Sequence, residues 1–152
     1  MGHFHPILPQ ILRFTEHHAH CEELQQIFMN DYKLATYFCR TSYAKGGACI
    51  YVHKSLKFGS VDIENYCKEK DLEACAAKLT LNSTHICIIT IYRAPSGNFT
   101  FFINNFDSIL RNLYNPALEF IICRDINIDY LKNTDKKTNL KTCYYHIILL
   151  VQ

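Results

Sequence analysis

The sequence predicts an α/β fold, a sandwich of buried strands with amphipathic helices laid against it. Three observations carry this. Leu72–Leu81 is apolar almost throughout and His85–Tyr92 is rich in β-branched residues, as expected of strands covered on both faces. Phe102, Phe106, Ile109, Leu110 and Leu113 recur at helical spacing within Phe99–Leu113. The order of elements is strands, helix, strand, which suits layered α/β architecture better than a bundle or an all-β fold.

The elements follow in order. Ile7–Phe14 is a short apolar segment that stops at Thr15-Glu16 and reads as a strand. Residues 21–30, CEELQQIFMN, set Cys21, Leu24, Ile27 and Phe28 on one face of a helix. Residues 32–39 and Ala48–His53 read as the two strands of a hairpin, with Lys45-Gly46-Gly47 as its turn. That turn lacks Walker spacing and no helix follows it, so it is not a phosphate loop. Ser60–Tyr66 is a candidate short strand. Asn82-Ser83 is the turn between the two long strands, and Pro95 and Gly97 stop the second. Asn98 or Thr100 caps the helix that follows. The stretch FIICRDINIDYL, residues 120–131, is a last strand whose apolar run ends at Arg124-Asp125.

The 152 residues suit one domain, and 49% apolar content with 13% aromatics is enough for a core, which excludes overall disorder. The net charge of +2 is too small to argue for nucleic acid by itself. None of the eight cysteines stands in a C-x-x-C pair, and Cys49, Cys75, Cys87 and Cys123 lie in apolar runs. Free thiols and a reducing compartment, nucleus or cytoplasm, are therefore expected. The N-terminal residues lack the features of a secretory signal, and no apolar run is long enough to span a membrane. His17-His18-Ala19-His20-Cys21 offers zinc ligands that His3 and His5 would complete, but no second pair has finger-like spacing. A polar loop in which Glu16 alone matters is the better reading.

Three strands run out into residues able to do chemistry: the first at Glu16, the second at Tyr92-Arg93, the last at Asp125 and Asn127. Asp125 and Asn127 alternate in an extended segment, so their side chains leave one face about 6.5–7 Å apart along the chain. A carboxylate beside a fixed amide can orient a water, accept its proton and hold a phosphate oxygen. Glu16 is a hard oxygen ligand suited to Mg²⁺, and Tyr92 offers a phenol to a phosphate oxygen. Asp-x-Asn after a strand also builds ordinary turns. The order and spacing of the four residues, rather than any one of them, raise the functional reading.

The stretches GGACIYVHKSL, IYRAPSGN and CRDINIDYL resemble the endonuclease domain of non-LTR retrotransposons. That domain belongs to the endonuclease/exonuclease/phosphatase superfamily, with apurinic endonucleases and DNase I as relatives. TEHHAHCEELQQI resembles the segment with the metal-binding glutamate, IYRAPSGN the strand with the active-site tyrosine, and CRDINID the Gly-Asp-x-Asn signature. The resemblance covers about residues 8–141, leaving 142–152 as a divergent tail. It implies a partial, four-layered α/β sandwich of the DNase I-like kind, two packed mixed sheets with outer helices. It also implies phosphodiester hydrolysis with Mg²⁺ or Mn²⁺. Asp125 would orient and deprotonate the water, Asn127 would position Asp125 and the phosphate, Glu16 would hold the metal, and Tyr92 would stabilise the pentacovalent phosphorus.

The sequence departs from that pattern at three points. No asparagine-bearing strand precedes Glu16, and no Ser-Asp-His end is present; His146 begins an apolar run and is no substitute. Arginine stands at 124, where the family has glycine, and is expected to strain the turn or pair with Asp125. The expectation is a single incomplete domain over 1–152, of retrotransposon origin, with weak or no endonuclease activity. The alternative is a non-catalytic remnant that binds DNA or a protein. DNA and a reverse transcriptase module of the parent element are the partners implied. Arg93, Lys132, Lys136 and Lys137, with Lys141, are candidate DNA contacts, although a solvated charged face is the default for such a run.

Overall fold

The structure, a computed structural model, describes residues 8–81 and 83–128. Its strands are β1 (Ile11–Thr15), β2 (Tyr32–Phe38), β3 (Ala48–His53), β4 (Phe58–Val61), β5 (Glu73–Leu81), β6 (Thr84–Tyr92) and β7 (Leu118–Asp125). The helices are α1 (Cys21–Gln26) and α2 (Phe99–Leu113), with one 3-10 turn at Glu64–Tyr66.

Among the described residues the strands form two sheets, β1-β3-β2 and β4-β5-β6-β7. The first is antiparallel throughout. The second is mixed: β4-β5-β6 is antiparallel, and β7 joins β6 in parallel after the α2 crossover.

Alternation along the strands builds the layers. Ala48, Ile50 and Val52 of β3 meet Cys75, Ala77 and Leu79 of β5 and Ile86 and Ile88 of β6 in the core between the sheets. Intervening residues point the other way. Ala74, Ala76, Cys87, Ile89 and Ile91 pack under Phe102, Phe106, Ile109, Leu110 and Leu113 of α2. Cys49 and Tyr51 pack with Leu24 of α1 on the far side of the first sheet. The result is four layers: α1, three-stranded sheet, four-stranded sheet, α2. Both faces of β3, β5 and β6 are covered, which is why their sequences are apolar almost without interruption.

α2 has the bounds its periodicity predicts, and the Asn98 side chain caps it by accepting from Phe101 N at 3.0 Å. α1 is shorter than expected. It stops at Gln26, leaving Ile27 45% and Phe28 85% exposed, so only Leu24 of that face is buried. The helix is anchored by one residue, too little to extend it. The segment 60–66 is not one strand; it divides into the end of β4 and the 3-10 turn. β2 and β3 pair as expected, but β1 pairs the opposite edge of β3 and makes it the central strand. Gly46 and Gly47 have φ of 109° and 92°, left-handed backbone that suits glycine. No helix among the described residues is long and apolar enough to cross a membrane.

Candidate active site

The fold brings the ends of five strands to one edge of the sandwich. Tyr92, the last residue of β6, is the register partner of Asp125, the last residue of β7, and of Glu73, the first of β5. Thr15, ending β1, pairs with Ala48, which starts β3. Glu16 follows immediately, at φ 56°, with its N–H donating to Gly47 O at 2.7 Å. The two sheets therefore deliver Glu16 and Tyr92 to one place: the Tyr92 hydroxyl donates to Glu16 Oε1 at 3.1 Å. Burial, followed by the Glu16 carboxylate, pushes the Tyr92 phenol up to about 12, with the Arg40 guanidinium acting in the opposite direction. That guanidinium lies 5.8 Å from the centre of the Tyr92 ring.

Asp125 is half-buried at the strand end. Asn127 follows with φ 48°, a left-handed conformation that asparagine tolerates. Its Nδ2 donates to Arg93 O at 2.9 Å. Arg93, expected among the DNA contacts, is placed otherwise. It is 1% exposed, and its guanidinium donates to the carbonyls of Ile126 (3.0 Å), Gly97 (2.7 Å) and Asn127 (3.1 Å). These bonds hold the turn that carries Asn127 and leave the side chain buried, out of reach of a phosphate backbone. The strain expected at Arg124 is not found. β7 runs through it with Ile91 as its partner, and the left-handed residue comes at Asn127 instead. An arginine at 124 has an ordinary strand backbone and strains no turn. Lys132, Lys136, Lys137, Lys141 and His146 lie outside the described residues.

The three histidines after β1 turn to separate partners. His17 Nδ1 accepts from Ala19 N at 3.1 Å, which leaves Nε2 to donate to Phe38 O at 3.2 Å, and burial lowers the pKa of this ring. His18 Nε2 lies 3.5 Å from Glu16 Oε1. His20 N donates to Glu23 at 2.8 Å at the start of α1. Among the described residues no group of three or more His, Cys, Asp or Glu side chains is gathered to hold a metal. His3 and His5, which the zinc reading needs to complete its site, lie outside the described residues.

Glu16 is a different case. Its side chain is 46% exposed, and among the described residues its side-chain contacts, Tyr92 and His18, fall on Oε1. With respect to those residues Oε2 is left for a hard cation. Mg²⁺ characteristically takes one or two carboxylates and fills its remaining positions with water and substrate phosphate, so a single accessible acid fits such an ion.

Sequence reasoning missed Glu73 and Arg40. Glu73 is fully buried, and Arg40 Nε donates to its Oε1 at 2.6 Å. The signal was present: a lone acid opens the apolar strand EACAAKLTL, and such an acid needs a partner to be buried.

No family model matches the chain, and no curated protein matches it. Solved structures do. The endonuclease domain of TRAS1, a telomere-specific non-LTR retrotransposon, superposes with a TM-score of 0.60 at 11% identity, over 76% of this chain and 52% of that one. D. rerio TDP2, complexed with a single-strand DNA product, gives 0.59 at 11% identity over 88% and 52%. The human Nocturnin catalytic domain with bound sulfate gives 0.56 at 17% identity over 91% and 55%. The chain spans about half the length of these structures and shares their DNase I-like α/β fold.

Proposed function

We propose that this chain carries part of a metal-dependent, DNA-cleaving phosphodiesterase site of the retrotransposon endonuclease type. The observation that supports this reading best is the Tyr92–Glu16 hydrogen bond beside the Tyr92–Asp125 register pair, because it gathers the sequence-predicted residues from both sheets. The fold shared with nucleases adds to it.

In this reading Asp125 orients the attacking water and takes its proton. Asn127, fixed by Arg93, holds the turn beside that carboxylate and offers its remaining amide valences to a phosphate oxygen. Tyr92 is a neutral phenol at physiological pH, pushed up to about 12, and donates a hydrogen bond to a non-bridging oxygen as charge builds at phosphorus. Glu16 would hold Mg²⁺ or Mn²⁺, which supplies positive charge against the phosphate when bound. Turnover is expected to be slow. So weak an acid as Tyr92 is a poor proton donor to a leaving oxygen, and His18 is turned to Glu16.

The test is nicking of supercoiled plasmid by the purified chain with Mg²⁺, with Mn²⁺, or with chelator. Metal-dependent nicking that Asp125→Asn removes supports the reading. Equal nicking by wild type and Asp125→Asn refutes it. DNA binding without nicking leaves the non-catalytic binding remnant as the better account.

A further inference from the structure

We propose that Glu73, which the chemistry above does not use, is a positioning residue that sets both arms of the site and thereby the metal affinity of Glu16. The inference rests on the proposed function for its setting and on the hydrogen bonds around Glu73 for its content. Glu73 Oε2 accepts from Gly47 N at 2.6 Å. Gly47 O accepts from Glu16 N at 2.7 Å, and Gly46 O accepts from His18 N at 2.9 Å. One carboxylate oxygen thus holds the glycine pair that holds the Glu16 loop in its left-handed conformation.

The second oxygen serves the other arm. Oε1 accepts from Arg40 Nε and Lys70 N, each at 2.6 Å, with Arg40 NH2 also 2.6 Å away. The carbonyl of that same Lys70 accepts from Ala94 N at 2.9 Å, next to the Arg93 that fixes Asn127. Arg40, its side chain 8% exposed, lies against the Tyr92 ring and over Gly46, where a Cβ would run into the guanidinium. Three donors converge on one fully buried carboxylate: Gly47 N from the turn that holds the Glu16 loop, Lys70 N from the loop that holds Ala94, and Nε of the cation beside Tyr92. A burial this complete is costly unless both oxygens are paired, and here they are.

The chemistry predicts what a neutral isostere does. Glu73→Gln keeps the shape but turns one acceptor into an NH₂ donor facing N–H donors. Either the Gly47 bond or the Arg40–Lys70 side fails, and Glu16 loses its fixed backbone. Outer groups that orient a metal-holding residue characteristically change metal affinity about 10–100-fold when removed.

The readout is Mn²⁺ affinity of the full chain, measured by titration calorimetry or by the EPR signal of free ion, with nicking measured separately. Glu73→Gln and Glu73→Asp are expected to remain folded by circular dichroism. They should bind Mn²⁺ at least about tenfold more weakly, with the aspartate, which keeps the charge, weakened less. Leu113→Ala, which opens a cavity under the far end of α2 beside the start of β7 and away from these contacts, should be destabilised yet bind as wild type does. Folded Glu73 variants with wild-type affinity overturn the proposal. So does a failure of both to fold, which assigns Glu73 to structure alone, or an equal loss in Leu113→Ala. Wild type that binds Mn²⁺ without nicking refutes the proposed activity but not the positioning role, whereas absence of Mn²⁺ binding refutes both.

Discussion

Arg93 and Asn127 hold each other reciprocally: the Arg93 guanidinium donates to Asn127 O at 3.1 Å, and the Asn127 amide donates to Arg93 O at 2.9 Å. The pair locks the end of β6 to the turn after β7. It fixes the backbone on either side of Asp125, whose own carbonyl accepts from Arg93 N at 2.9 Å. An arginine that looks from sequence like a hand held out to DNA is a clamp inside the protein.

Arg93→Lys tests the clamp. Lysine has no planar fork and cannot reach three carbonyls at once. The unpaired carbonyls should lower stability by about 1–3 kcal/mol, read in urea denaturation. The salt dependence of DNA binding should stay the same, because the residue lies out of contact with phosphate. A reduced salt slope with unchanged stability would return Arg93 to the DNA surface.

Asp125→Asn and Tyr92→Phe separate the two roles proposed for the strand ends. Loss of the base should lower nicking by about 10²–10⁴-fold, with the circular dichroism spectrum unchanged. Loss of the phenol should act less severely, by about tenfold, since it removes one hydrogen bond to developing charge. Equal effects of the two would mean that Tyr92 does more than donate that bond.

The raised Tyr92 pKa makes a signed prediction for stability. The folded state favours the neutral phenol, so the contribution is complete below the unfolded tyrosine value of about 10 and is lost as pH rises through the folded value of about 12. Tm of wild type should fall faster than that of Tyr92→Phe between those values. Tyr51, also raised by burial, is present in both and cancels. Parallel Tm curves would contradict the shift.

Thiol labelling should follow burial. Cys49, Cys75 and Cys87 are buried, and desolvation pushes Cys49 and Cys87 up to about 11 and Cys75 well above its ordinary value. Iodoacetamide followed by mass mapping should modify Cys21 and Cys123 in the native chain, while those three react only after denaturation. Native-state modification of Cys75 would mean that the sheets separate.

Gly97 has no room for a side chain: a Cβ there would run into the Lys70 carbonyl. Gly97→Ala should cost about 1–3 kcal/mol in denaturant unfolding.

The sequence alone determined the layered α/β class, the long strands β5 and β6 and helix α2 with its cap, and it nominated Glu16, Tyr92, Asp125 and Asn127 as a candidate site. These are legible because they depend on local signals: β-branched runs, helical periodicity and polar residues placed where a buried strand stops. α1 was overextended because helical spacing does not say whether a partner covers the face; Phe28 had none. Three decisions belonged to the tertiary structure. It placed β3 between β1 and β2, brought Glu16 to Tyr92 across two sheets, and turned Arg93 inward. Each depends on contacts between residues far apart in the chain. Glu73 shows the reason most plainly. A lone acid in an apolar strand announces that it needs partners, but only folding reveals that these are Arg40, Gly47 and Lys70, because hydrogen bonding in a buried site is satisfied in space and leaves no periodicity in the sequence.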